Sequence, residues 1–217
     1  MFVAIGYLLG SVPFGVIAGR VVGGVDVRQY GSGSTGTTNV LRTVGKRAAA
    51  VVLLLDMSKS VVAVLLAKLL TDSAGVEVAT ALAAIIGHIW PVFAGFRGGK
   101  GISVGWSALF VLSPISGLVA TLVGVPVIAL SKYVSLGSIM GAISGCIALF
   151  VLAVATDTST VYVWYAVIGG SSVLVLHRAN ISRLIRGQER KIGQRVVEAV
   201  PSQEPSRQKG FRWPGSA

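Results

Sequence analysis

Three polar stretches hold most of the residues able to do chemistry. The first, Tyr30 to Arg42, reads YGSGSTGTTNVLR. Its glycines 31, 33 and 36 permit positive φ and let backbone N–H groups face a ligand with no Cβ in the way. Ser32, Ser34, Thr35, Thr37 and Thr38 add short hydroxyls. Asn39 and Arg42, three apart, share a face if a helix starts near Thr37. Such a loop suits an anion, and the planar arginine fork suits phosphate. A flexible connector with one arginine on lipid headgroups would be composed in the same way, and for this stretch alone both readings stand.

The second stretch, Gly87 to Gly105, reads GHIWPVFAGFRGGKGISVG. Arg97 and Lys100 sit among Gly98, Gly99 and Gly101, directly before an apolar run. A helix N-terminus there would offer free amides and a favourable dipole to an anion. The glycine spacing is wrong for a nucleotide-binding Walker loop, and no Ser or Thr follows the lysine. The plainer reading is a tight turn with snorkelling cations. His88 and Trp90 read as packing or interface residues.

The third stretch, His177 to Gly193, reads HRANISRLIRGQERKIG. Arg183, Arg186, Arg190 and Lys191 suit a basic amphipathic helix on lipid heads. That role leaves His177 and Asn180, which share a helical face, unexplained. Asp56 and Lys59 interrupt an apolar run at i,i+3 spacing and are expected to pair. Ser135 and Ser138 open another apolar run and would add hydroxyls at its N-terminus.

The elements that position these residues follow from composition. Of 217 residues, 53% are hydrophobic and 12% charged, with mean hydropathy +0.78. A water-soluble domain of this size could not cover so much apolar surface. Seven runs read as membrane spans: Met1–Val22, Ala48–Leu70, Val78–Gly95, Ile102–Ser113, Ile115–Leu130, Ile139–Ala155 and Val161–Leu176. The fourth is short and is expected to tilt, to begin inside the protein or to continue across Pro114, so six or fewer is the competing count. The first run lacks a basic leader and a cleavage site, which predicts a retained span.

Most cations fall in alternate connectors: Arg28, Arg42, Lys46 and Arg47, then Arg97 and Lys100, then Lys132, then Arg178 to Arg195. The positive-inside bias then predicts an outside N-terminus and a cytoplasmic C-terminus. The net charge of +11 therefore points to anionic lipid and away from nucleic acid. Residues 1–195 read as one transmembrane domain, and 196–217, rich in Pro, Ser and Gly, as a disordered tail. Cys146, alone in the chain, reads as a packing residue. No HExxH, CxxC or acidic cluster is present, so neither a metal nor a cofactor is expected.

Together the polar stretches resemble the bacterial acyl-phosphate:glycerol-3-phosphate acyltransferase family. Gly31 to Arg42 resembles that family's Gly-Ser-Gly-Asn-x-Gly-x-Thr-Asn-x-x-Arg, with Ser34 where the family usually has Asn. Gly87 to Gly101 resembles its Gly-His-x-Trp-Pro-Val-Phe followed by Phe-Lys-Gly-Gly-Lys-Gly, with Arg97 for the first lysine. His177 to Lys191 resembles its His-Arg-x-Asn-Ile-x-Arg-Leu-x-x-Gly-x-Glu-x-Lys. The resemblance implies a cytoplasmic site in the bacterial plasma membrane. It also implies that an acyl group moves from acyl phosphate to glycerol 3-phosphate, giving lysophosphatidate and phosphate. It puts Ser32, Arg42, Lys100, His177 and Asn180 forward as site residues and Glu189 as a structural one.

On that footing Arg42, Lys100 and the amides of Gly98, Gly99 and Gly101 are expected to hold phosphate. Thr38 and Asn39 would assist, and Ser32, Asn180 and Ser138 would orient the glycerol end or the reacting carbonyl. His177 would be the general base, unless a phosphate takes the proton. The competing classes are a transporter or channel for a phosphorylated solute and a non-catalytic lipid-head binder. Against the transporter, the polar stretches gather on one side instead of marking a path through the midplane.

Overall fold

In lipid, backbone N–H and C=O groups must be satisfied within their own segment, so a chain this apolar folds as helices. The computed structural model describes residues 1–194 and holds ten α-helices among them. These are α1 Phe2–Gly10, α2 Phe14–Gly23, α3 Thr37–Thr43, α4 Lys46–Leu70, α5 Ala74–Ile89, α6 Ile102–Leu112, α7 Pro114–Ser131, α8 Val134–Ala155, α9 Tyr162–Leu176 and α10 Arg178–Ile185. The expected tail, 196–217, lies outside the described residues.

Five segments are long and apolar enough to cross a membrane: Phe2–Gly23, Lys46–Leu70, Ala74–Ala94, Pro114–Ser131 and Val134–Ala155. The other two expected spans are helical but shorter, at Ile102–Leu112 and Tyr162–Leu176. At 1.5 Å per residue they reach about 16 Å and about 22 Å, against about 30 Å of hydrocarbon. The chain is an all-helical integral membrane protein.

Two boundaries depart from the sequence reading, and the structure decides between the alternatives at a third. The first run is not one helix but α1 and α2, broken at Ser11–Pro13, because Pro13 lacks an N–H and disfavours helix at the residue before it. Helices α6 and α7 do not run on across Pro114. Ser113 caps α7, its Oγ accepting from the Ser116 N–H at 3.4 Å, and Pro114 takes the first helical position. Helix α8 starts at Val134, ahead of the apolar run at Ile139, so Ser135 and Ser138 lie inside its first turns.

Helix α1 packs on α5, α7 on α8, and α4 against both α5 and α6. Lipid tails are as apolar as leucine, so close packing, not water exclusion, holds such helices together. Small residues make it possible: a Cβ on Gly141 of α8 would stand 2.7 Å from the Ala120 carbonyl oxygen of α7. Val64, Ile85, Val104, Leu149 and Tyr165 fill the central core, while Val27, Val40 and Val52 form a second core under α3. Leu54, Leu69, Leu122, Ile147 and Trp164 face outward, where lipid would cover them.

Candidate active site

The sequence explains locally why the Tyr30–Gly36 loop holds its shape. Asn39, buried on α3, accepts the Ser32 N–H on Oδ1 at 3.0 Å. Its Nδ2 reaches the carbonyls of Val27 at 2.7 Å, Ser34 at 2.9 Å and Tyr30 at 3.1 Å. Asn39 is therefore a loop clamp. It lies at the cavity wall, but its two amide hydrogens are committed to those carbonyls, so it has no donor for a phosphate and only an Oδ1 lone pair remains. Ser32, Thr38 and Arg42, carried by the same loop and helix, line a cavity of about 490 Å³.

The glycine loop behaves differently from expectation. The Gly99 N–H donates to the His88 carbonyl at 3.0 Å, and the Gly98 carbonyl accepts from the Thr35 N–H at 3.3 Å. A Cβ on Gly98 would collide with the His88 carbonyl oxygen, and one on Gly99 with the His88 ring. Gly98 and Gly99 are thus tight braces that tie the end of α5 to the first loop, and neither lines the cavity. The Gly99 amide is already bonded and is not free for phosphate. Gly101, left-handed at φ 75°, starts α6 and does line the cavity beside Lys100.

Lys100, Asn180 and Glu189 form one chain of contacts. The Lys100 Nζ donates to Asn180 Oδ1, and Asn180 Nδ2 donates to Glu189 Oε1 at 2.7 Å. Ser135 Oγ donates to the same oxygen at 2.8 Å, and Arg183 Nε to Oε2 at 2.7 Å. Burial opposes the Glu189 charge, but these three donors outweigh it and hold the carboxyl below its usual range. Asn180 thereby has its oxygen turned to a cation. Arg42 donates from Nη2 to the Arg190 carbonyl at 3.2 Å.

Burial, reinforced by the nearby Arg183, lowers the Lys100 ammonium to about 8. Burial lowers Arg42 as well, with Arg190 and Arg183 adding to the effect. Two desolvated cations in one cavity suit an anion. His177, at the end of α9, is pushed down to about 4 by burial and then by Lys100. It is neutral at physiological pH, and its Nδ1 lies 2.9 Å from the Val173 carbonyl. A carbonyl can only accept, so Nδ1 carries the hydrogen and Nε2 offers its lone pair.

The structure therefore brings Ser32, Thr38, Arg42, Lys100, Gly101, Ser138, His177 and Asn180 to one cavity. From that polar end, apolar lining continues along α5 to α8 through Ile85, Leu109, Ala120, Val125 and Cys146. His88 reads as packing in the sequence, and the structure adds a second contact. Buried at 5% exposure, it too lines the cavity. The signal for it in the sequence is its place in the Gly-His-x-Trp-Pro-Val-Phe stretch that carries the family resemblance. Among the described residues no cluster of His, Cys, Asp or Glu could hold a metal.

A sequence profile for the family described as glycerol-3-phosphate acyltransferase matches residues 1–187. The chain belongs to that family. The acyltransferase is 47% identical over 195 residues to a glycerol-3-phosphate acyltransferase of Synechococcus sp. (strain CC9902), covering 90% of this chain and 96% of that one. To one of Thermoanaerobacter sp. (strain X514) it is 43% identical over 194 residues, covering 88% and 94%. Among solved structures it is similar to PlsY, an integral membrane glycerol 3-phosphate acyltransferase, in its glycerol 3-phosphate form. That match has TM-score 0.82 and 37% identity, over 88% of this chain and 94% of that one. The lysophosphatidic acid form of PlsY matches with TM-score 0.79, also at 37% identity. As a PlsY-type acyltransferase this enzyme acylates glycerol 3-phosphate, which gives lysophosphatidic acid.

Proposed function

We propose that the acyl donor is an acyl phosphate, that transfer is direct, and that the cavity opens to the cytoplasmic side of a bacterial plasma membrane. The observation that supports this reading is a single cavity with two desolvated cations at its polar end and apolar lining beyond. An acyl phosphate has that shape: an anion joined to a chain. As a mixed anhydride it arrives activated, so the protein has to align two anions and balance the charge that develops.

Arg42 and Lys100 hold phosphate oxygens, and Ser32, Thr38 and Ser138 offer hydroxyls to the glycerol part. The His177 Nε2 lone pair accepts the attacking hydroxyl's hydrogen and aims its oxygen at the acyl carbon. As the new C–O bond forms, the carbonyl π electrons move to oxygen. Collapse restores the C=O and breaks the acyl–phosphate bond, and phosphate departs with the electron pair. With a pKa of about 4, His177 is too weak a base to keep the proton. The proton ends on the departing phosphate, which leaves with the electron pair as a fully ionised anion and is a far stronger base than His177. His177 thus orients the hydroxyl and relays its proton.

The alternation of cationic connectors supports seven crossings with the N-terminus outside, α6 and α9 being the short ones. Purified enzyme in detergent, given palmitoyl phosphate and labelled glycerol 3-phosphate, should form lysophosphatidate with no other donor present. Equal turnover on palmitoyl-CoA with none on palmitoyl phosphate would overturn the donor. An acylated Ser32, seen by mass spectrometry after quenching with palmitoyl phosphate alone, would overturn direct transfer.

A further inference from the structure

Four groups meet at the break between α1 and α2, beneath the glycine loop. The Lys59 Nζ lies 2.9 Å from Asp56 Oδ1, 3.1 Å from the Val12 carbonyl and 3.0 Å from His88 Nδ1. An ammonium has three protons and nothing to accept with, and here it has three acceptors. The His88 Nδ1 is one of them, so it carries no hydrogen. Asp56 Oδ1, 3.6 Å from the same nitrogen, is too far to receive one from it. The ring hydrogen is therefore on Nε2.

That nitrogen has no hydrogen-bond partner among the described residues, and His88 lines the cavity. The ring cannot turn away: Lys59 holds one edge, and the Gly99 backbone lies so close to Nε2 that a Cβ would not fit. One turn back along α5, Ile85 begins the apolar lining, and one residue past Gly99 comes Lys100. A neutral N–H fixed between a phosphate cation and the start of the apolar lining sits where the carbonyl joining phosphate to acyl chain would lie. The two histidines of this chain then present opposite faces to one cavity, a lone pair on His177 and a hydrogen on His88.

We propose that His88 donates its Nε2 hydrogen to the acyl carbonyl oxygen and to the oxyanion formed when the glycerol 3-phosphate hydroxyl adds to the acyl carbon. The hydrogen bond strengthens as negative charge builds and relaxes when the C=O re-forms and phosphate leaves, so His88 is not consumed. Lys59 and Asp56 act through His88 as positioning residues. This role rests on the acyl-phosphate reading above.

Full-length enzyme in detergent tests it twice. With ¹⁵N-labelled histidine the spectrum holds only two imidazoles, and at neutral pH one should report hydrogen on Nε2 and the other on Nδ1. His88→Gln should remove the first of these. Two Nδ1–H rings would overturn the proposal. In kinetics, His88→Ala should lower kcat about 100-fold, the size seen for loss of one oxyanion donor, with KM for glycerol 3-phosphate within about threefold. His88→Gln, which keeps an N–H, should recover about tenfold of that loss. A kcat within about threefold of wild type in His88→Ala, or a tenfold rise in KM at unchanged kcat, would overturn it. Wild-type turnover on acyl phosphate is measured alongside: its absence removes the donor assignment, whereas normal wild-type rates with an unimpaired His88→Ala remove only the role of His88.

Discussion

Two polar clusters support the cavity, and they are built differently. Around Glu189, one carboxylate takes hydrogen bonds from Ser135, Asn180 and Arg183, and the Arg183 side chain is 41% exposed. Around Lys59, one ammonium faces Asp56, His88 and the Val12 carbonyl, with the Lys59 and Asp56 side chains 4% and 2% exposed. The first shares its charge with water through Arg183. The second has no such outlet, and Asp56 Oδ2 is left without a partner among the described residues. Removing half of a buried ion pair strands the other charge, while trimming a wet one mostly does not. Both clusters aim a ligand-facing group, yet their tolerance to damage should differ widely.

Breaking the dry cluster should have the largest effect. Asp56→Ala leaves Lys59 uncompensated and should cost about 3–5 kcal/mol, read as a large fall in thermal midpoint and loss of the monodisperse peak in detergent. The double variant Asp56→Leu/Lys59→Met should regain most of that stability without regaining full turnover, because nothing then holds the His88 ring. Next comes Glu189→Ala, which leaves three donors without their acceptor. At about 1–3 kcal/mol for such a loss, the protein should still fold, and turnover should drop at least about tenfold as Asn180 swings free.

A smaller effect should follow from acidity. Lys100, lowered to about 8, is charged below that pH and loses its charge as pH rises through it. KM for glycerol 3-phosphate should therefore climb above about pH 8. Lys100→Arg, whose guanidinium stays charged throughout, should flatten that limb. Smallest is Arg183→Ala: partly exposed, it should cost less than about 1 kcal/mol by thermal unfolding. A loss as large as that from Asp56→Ala would erase the contrast between the clusters.

Much of this was legible in the sequence. Helical periodicity and apolar length gave the segments, and the residue types of the three polar stretches gave the anion chemistry. What stayed hidden depended on partners distant in the chain. Asn39 looks like a ligand-facing amide until Val27 and Tyr30 fold over it. Gly98 and Gly99 look like an open cradle until the end of α5 lies against them. His88 reads as packing because nothing near it in sequence fixes its tautomer. The residue that does so, Lys59, stands a whole helix away. The break at Pro13 was readable, and the strength of the apolar run on either side masked it.

The dryness that lowers Lys100 has one more consequence. A mixed anhydride can be destroyed by hydrolysis, and in open solution water vastly outnumbers any other nucleophile. For the proposed acyl-phosphate donor, apolar walls such as those at Ile85, Leu109, Ala120 and Val125 would keep that competitor out. The same desolvation that makes a lysine a weaker base thus favours ester over free fatty acid.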